Sequence, residues 1–476
     1  MPIPLPGPPD DSRGVFATRT INLRAIKAIG YDMDYTLVHY HVDVWERRAY
    51  EYARDRVAKR GLPVGDLEFD PTLVSRGLIL DTELGNIVKA DRFGYVRAAS
   101  HGTRMLEWGE LRTHYRRTLI DLRDKRWLFL STLFDISGTT LFAQCVDRFD
   151  RGQLPDVLGY MDLLERIHAG LDAAHLEGRL KAEIIADPGR YVDLDPLAAQ
   201  ALLDQRAAGK KLMLITNSEW HYTNAMMHFA YDPYLPEGMV WRELFDLILV
   251  RARKPSFFED ANPLYEIVDE ERGLLLPIIG APKLGGIYLG GHAGQVEEAL
   301  GVSDSDILYV GDHIFSDVNV TKRNVGWRTA LILRELEEEV DAVASFRAVE
   351  EELRTMMAEK TEMERQMSVL RLDLMRRRAQ SPGPLLDATQ AEVERQLAET
   401  RTGLVALDQT IAPLAEQAGK LRNPRWGLIM RAGIDKSHLA RQIERFADVY
   451  TSRVSNFVYA TPNVYLRAPK SNLPHD

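Results

Sequence analysis

Three short apolar runs, AIKAIG at 25–30, KLMLIT at 211–216 and DILYVG at 306–311, each end in a polar cluster and lead into a helix-like segment. This rhythm of strand, polar tip and helix constrains the chain more than any other feature. It is that of an α/β protein with a parallel sheet, whose ligands gather outside the carboxyl ends of the strands. The three tips are therefore predicted to converge. About 180 residues separate the first tip from the second, too many for a loop in a compact fold, so an inserted domain is expected there. Residues 51–200 are taken as that insertion, with strand-like pieces (GLILDT, NIVKADRFGYVRAAS) and helical ones (LPDVLGYMDLLERIHAGLDAAHL). The core is then 15–50 with 201–345.

A different texture covers 346–423. Phe346, Val349, Leu353, Met356, Met363, Met367, Leu370 and Leu374 follow a 3-4 spacing that Lys360 breaks once. A second arm repeats the spacing through Val393, Leu397, Leu404, Leu407, Ile411, Leu414 and Leu421, and SPGP at 381–384 supplies the bend. The pattern predicts a long antiparallel helical hairpin, with Pro413 kinking its second arm. Its plain reading is an arm that packs on its own domain or on another subunit. Residues 424–476 are expected to pack on the core.

Composition narrows the function classes. The 476 residues carry 70 acidic and 60 basic side chains, a formal charge of -10, with no basic patch that would suit nucleic acid. Cys145 is the one cysteine, which rules out an internal disulfide and a multi-cysteine metal site and fits a reducing compartment. The first 14 residues, MPIPLPGPPDDSRG, read as a disordered leader rather than a signal peptide. No apolar run reaches the roughly 18 residues of a membrane span, since 273–291 is broken by Pro277, Pro282, Lys283 and glycines. A cytoplasmic location is the expectation.

The chemistry lies at the tips. A single aspartate at a strand end serves equally well as a helix cap. In DMDYT, however, Asp32 and Asp34 stand at i and i+2, and on an extended strand both would face one way. Like charges side by side call for a cation or a proton. The third tip, GDHIFSD, adds Asp312 and Asp317. An all-carboxylate set points to Mg²⁺ rather than zinc, and His313 reads as a packing or supporting residue. At the second tip Thr216, Asn217 and Ser218 open a helix and suit an anionic oxygen or a simple cap. Lys254, held before a proline in ARKPSFF, is placed to reach the same spot.

In order, DMDYT, LIT, Lys254 and GDHIFSD resemble the haloacid dehalogenase superfamily. The flanking text GYDMDYTL, TLFDISGTT, ITNSEWHYT, ARKPSFF, ILYVGDHIFSDV, GWRTALILREL and RQIERFADVY is similar to the cytosolic purine 5′-nucleotidases of the IMP/GMP-preferring type and their bacterial relatives. The resemblance implies a Rossmann-like parallel-sheet core with a large inserted cap. It implies that Asp32 is a nucleophile forming an aspartyl-phosphate and Asp34 the general acid/base. Thr216 and Lys254 would hold the phosphoryl group. Asp32, the Asp34 carbonyl and Asp312 would hold Mg²⁺, with Asp317 supporting.

For the substrate, the resemblance implies that Phe134 stacks on the base and that Asp135, Asp172, His175 and Lys181, with Asn217 and Ser218, contact the nucleotide. Asp135 stands where the family usually has Asn, His168 where it has Arg and Leu176 where it has Tyr, which bears on the base read. Phe315, Gln442 and Arg445 match positions of a nucleotide effector site in the family, where Arg323 replaces a Lys and Phe446 a Tyr. The family also implies a homo-oligomer, dimer or tetramer, and phosphotransfer to a nucleoside through the shared intermediate. Two other readings stay open, a phosphatase of another small metabolite and a non-catalytic scaffold. The latter would show a lost motif residue, and none is lost.

Overall fold

A computed structural model describes residues 10–470 apart from 155 and 177, with only the backbone of 172–176. The chain forms two compact units, one of residues 1–337 with 429–476 and one of 338–428.

The first unit is built on a ten-stranded sheet. In chain order its strands are β1 (Val15–Ala17), β2 (Ala28–Tyr31), β3 (Lys211–Ile215), β4 (Leu247–Val250) and β5 (Leu264–Asp269). They continue with β6 (Leu274–Ile278), β7 (Ile287–Gly290), β8 (Ile307–Gly311), β9 (Arg328–Ile332) and β10 (Val449–Thr451). The spatial order is β1-β10-β9-β8-β2-β3-β4-β7-β5-β6. Every pair from β10 across to β7 is parallel, and the edge pairs are antiparallel. Strands β2, β4 and β8 are buried at every residue, as continuous apolar runs are when helices cover both faces. One face packs Met213, Leu249, Phe257, Phe258, Tyr309 and Trp327 into a core.

Strand β2 lies between β3 and β8, with Tyr31 opposite Leu214 on one side and Val310 on the other. The first residues beyond β2, β3 and β8 are therefore neighbours, so Asp32, Thr216 and Asp312 meet at one edge. Gly30 is needed within β2 because a Cβ there would meet the Tyr309 ring at 2.8 Å.

Several boundaries differ from the sequence reading. Residues 1–9 of the expected leader lie outside the described residues, but Asp11–Arg13 form a 3-10 turn. Arg13 donates to Asn456 Oδ1 at 2.5 Å and Ser455 Oγ at 2.7 Å, tying that turn to the C-terminal segment. The boundaries set at 50/51 and 200/201 both cut helices, Val42–Lys59 and Pro196–Ala207. Helix Val42–Lys59 packs on Asp135–Asp150 and Tyr160–Leu176, within the expected insertion. Composition does not change inside either helix, which is why neither edge was visible. The insertion also holds a five-stranded antiparallel sheet, ordered Arg104–Met105, Val96–His101, Asn86–Ala90, Ile79–Asp81, Trp127–Phe129.

The second unit is the hairpin, with helices Leu336–Ala379 and Gln390–Gly419. Leu370, Leu374 and Val393 form its buried seam. Lys360, the position that broke the apolar spacing, pairs with Asp408 of the facing helix at 2.6 Å. The first helix starts well before Phe346, and the 3-4 spacing extends back with it through Val343, Val340 and Leu336. Pro413 lies inside the second helix without ending it. Among the described residues no helix is long and apolar enough to cross a membrane.

Candidate active site

Beyond Tyr31 the chain stops being a strand. The Met33 carbonyl accepts from Thr36, Leu37 and Val38 N–H at 3.2, 2.9 and 2.9 Å, and Tyr35 takes φ +55°. This curl overturns the expectation that Asp32 and Asp34 face one way, since alternation of side chains holds only while the backbone is extended. The two carboxylates part into different surroundings.

Asp32 turns toward Asp312 and Asp317, and oxygens of the three lie within 4.8 Å of one another. The Lys254 ammonium sits 2.8 Å from Asp32 Oδ1, 2.8 Å from Asp317 Oδ1 and 3.1 Å from the Tyr309 hydroxyl. Gly311 permits this closeness, for a Cβ there would lie 2.6 Å from the Asp317 side chain. All four charged groups are buried. Burial pushes the Asp32 carboxyl well above the ordinary range; Lys254 counters this, while Asp317 and Asp312 add to it. Burial likewise lifts Asp312 to about 7, against the pull of Arg76. Burial works to lower Lys254, but Asp317 and Asp32 hold it well above its usual value. His313 accepts from Phe315 and Ser316 N–H at 3.2 and 3.1 Å, and burial drops its pKa to about 4. It is a capping residue of the turn that carries Asp317.

The Asp34 carboxylate is outside this cluster. Its Oδ1 accepts from the Tyr40 hydroxyl at 2.5 Å and its Oδ2 from Ser218 Oγ at 2.6 Å. Tyr40 and Tyr222 hydroxyls are 3.0 Å apart, and with the Tyr40 proton on Asp34 the donor is Tyr222. Lys181, from the insertion, donates to Ser218 Oγ at 3.1 Å and lies 4.6 Å from the Tyr222 ring centroid. Thr216 Oγ1 accepts from Ser218 N–H at 3.0 Å. Asn217 faces the Lys254 main chain instead, accepting its N–H at 2.7 Å and donating to its carbonyl at 3.1 Å. It thereby fixes the loop that delivers the ammonium.

On the insertion side, Phe134 packs edge-on to Tyr35 and Trp45, with centroids 4.8 and 5.8 Å away. Asp135 Oδ2 accepts from Ser131 and Thr132 N–H at 2.9 and 3.2 Å, and burial raises its carboxyl to about 6. The Asp172 and His175 side chains lie outside the described residues. Phe315 and Gln442 come together around Phe129 and His438, Gln442 Nε2 being 2.8 Å from His438 Nε2. Arg445 stacks on Phe446 at 5.0 Å, and Arg323 is exposed. Sequence reasoning missed Tyr40, Tyr222, Tyr309, Thr132 and Arg76. Tyr40 stands six residues from the Asp34 side chain it bonds and was within reach of a local reading, whereas the other four act across distant segments.

The model of the 5′ nucleotidase family matches residues 15–476. The chain belongs to the 5′ nucleotidase family. A 5′-nucleotidase domain-containing protein of Dictyostelium discoideum is 26% identical to it over 482 residues, spanning 98% of this chain and 75% of that protein. Two solved structures are similar at low level. CbbY from Rhodobacter sphaeroides in complex with phosphate has a TM-score of 0.25 and 16% identity, over 64% of this chain and 86% of its own. A haloacid dehalogenase superfamily hydrolase of subfamily IA from Geobacter sulfurreducens has 0.27 and 11%, over 67% and 96%. Membership makes this 5′-nucleotidase-family chain a phosphoric monoester hydrolase of nucleoside monophosphates.

Proposed function

We propose that the chain hydrolyses purine nucleoside 5′-monophosphates of the IMP/GMP kind with Mg²⁺, through a phosphoryl group carried on Asp32. The observation that carries this reading is the division of labour between two neighbouring carboxylates. Asp32 sits with Asp312, Asp317 and Lys254, while Asp34 sits apart on hydroxyl donors.

The cluster holds three carboxylates against one ammonium, and its side-chain donors are all oxygen, which suits a hard divalent cation. Asp32, the Asp34 carbonyl and Asp312 would hold Mg²⁺, with Asp317 supporting; when bound it supplies charge neutralisation of the phosphoryl oxygens. Lys254 and the Thr216 and Ser218 groups at the start of helix Trp220–Tyr231 hold the remaining phosphoryl oxygens, and Lys181 closes over Ser218.

Asp32 Oδ attacks phosphorus and the bond from phosphorus to the 5′ oxygen breaks. Asp34 gives its proton to that oxygen and the nucleoside leaves. Water then attacks the phosphorus, Asp34 takes the water proton, and the bond to Asp32 breaks to release phosphate. A nucleoside hydroxyl in place of water gives phosphotransfer. Phe134 stacks on the base, which tolerates base identity. The purine preference rests on the resemblance of the flanking motifs.

The test is phosphate release from a panel of nucleoside monophosphates and sugar phosphates, with Mg²⁺ and with EDTA. IMP or GMP leading, with activity abolished by EDTA, is expected. A panel led by sugar phosphates overturns the substrate assignment, and activity that survives EDTA overturns the cation. Initial rates that do not respond to ATP at saturating Mg²⁺ would remove an effector role for Phe315, Arg323, Gln442 and Arg445.

A further inference from the structure

The loop after strand Trp127–Phe129 meets the loop after β8 through several independent contacts. Thr132 Oγ1 donates to Asp312 Oδ2 at 3.0 Å. Ser131 Oγ lies 3.2 Å from His313 Nε2. Arg76, whose side chain is 1% exposed, bridges both loops. Its Nε donates to the Ser131 carbonyl at 3.0 Å, its Nη2 donates to the Asp312 carbonyl, and its Nη1 faces Glu335 Oε2 at 3.5 Å. The next residue is pinned as well. Gly77 N–H donates to the Leu130 carbonyl at 2.8 Å, and at φ +86° a Cβ on Gly77 would meet Leu439 at 2.8 Å.

A buried guanidinium spends five donors in a fixed plane, so it fixes the mutual position of whatever accepts them. Here the acceptors are the carbonyl of Asp312 and the carbonyl beside Thr132. We propose that Arg76 and Thr132 are positioning residues for Asp312, locking that carboxylate to the inserted domain so that the cation site is complete only when the 131–135 loop is docked. The inference rests on the cation reading of Asp32, Asp312 and Asp317. Because Phe134 rides on the same loop, metal binding and base binding are linked, and each favours the other.

Ligating carboxylates depend on the groups that orient them, and losing such a partner weakens metal binding by about tenfold or more. Thr132→Val removes the hydroxyl and keeps the shape, so the fold is retained. The experiment measures Mn²⁺ affinity of the full chain by water-proton relaxation, with thermal unfolding alongside. We expect Thr132→Val to bind Mn²⁺ about tenfold more weakly at an unchanged unfolding temperature, and Thr132→Ser to bind within about twofold of the parent. Arg76→Lys, which offers one ammonium for two carbonyls and the Glu335 carboxylate, is expected to lose at least as much. Parent-like Mn²⁺ affinity in Thr132→Val overturns the positioning role while leaving the cation reading intact. A parent chain that binds no Mn²⁺ overturns both.

Discussion

Asp32 and Asp34 are two residues apart, yet the regions they face differ in almost every physical respect. Around Asp32 the groups are charged, buried and crowded, with Asp32 and Asp317 sharing the Lys254 ammonium and Asp312 beside them. Around Asp34 the groups are hydroxyls in series, Tyr222 to Tyr40 to Asp34 on one side and Lys181 to Ser218 to Asp34 on the other. A nucleophile gains from a crowded anionic site only when cations offset the repulsion of an incoming phosphate. A group that moves a proton gains from donors that hold it in a fixed orientation toward the oxygen it serves. The lesson is that one turn of backbone, closed on the Met33 carbonyl, separates the proposed nucleophile from the proposed acid more effectively than distance along the chain.

The largest effect expected is on the Asp32 side. Asp32→Asn should reduce phosphate release to background while nucleotide binding, read by isothermal calorimetry, persists; sustained turnover would show that the two regions have been assigned the wrong way round. Next comes Asp34→Asn, which should lower kcat by about 10²–10⁴ for nucleoside monophosphates. With an aryl phosphate whose leaving group needs no proton, the same variant should form the phosphoenzyme in a burst and then stall. Steady turnover of the aryl ester without a burst would contradict Asp34 as the base for water. Phe134→Ala tests a third region. It should raise KM for nucleotides by about 10- to 100-fold, from loss of roughly 1–3 kcal/mol of stacking, with little change for small phosphate esters. An equal loss for both substrate types would mean that the ring serves Tyr35 and Trp45 and not the base.

How much of this could be read from residues alone follows a physical line. The meeting of Asp32, Thr216 and Asp312 follows from adjacent parallel strands, and three apolar runs with polar tips suffice to foresee it. The direction of Asp34 does not follow, because the strand ends at Tyr31 and the alternation rule ends with it. Asn217 looked like an oxyanion ligand by its place at a helix start, but the loop carrying Lys254 comes close enough to use both ends of its amide. Arg76 is the hardest case. It stands 236 residues from Asp312 and binds a backbone carbonyl, a contact that leaves no side-chain signature at the other end. Lys360 shows the opposite: a break in an apolar pattern marked a partner, Asp408, that only the paired helices reveal.

The smallest effect expected is the most discriminating. Tyr40→Phe deletes one donor to Asp34 and leaves Ser218 on the other oxygen. Loss of a single hydrogen bond of about 1.4 kcal/mol should lower kcat by about tenfold, with KM unchanged. The Asp34 side chain takes no part in the carboxylate cluster, so Mn²⁺ affinity in this variant should equal that of the parent. Thr132→Val is expected to do the reverse, weakening Mn²⁺ first and losing kcat only where the cation is limiting. If Tyr40→Phe also weakens Mn²⁺, the hydroxyl chain and the carboxylate cluster are one cooperative network, coupled through the 32–38 turn or through Ser218 and the Asn217 contact with the Lys254 main chain.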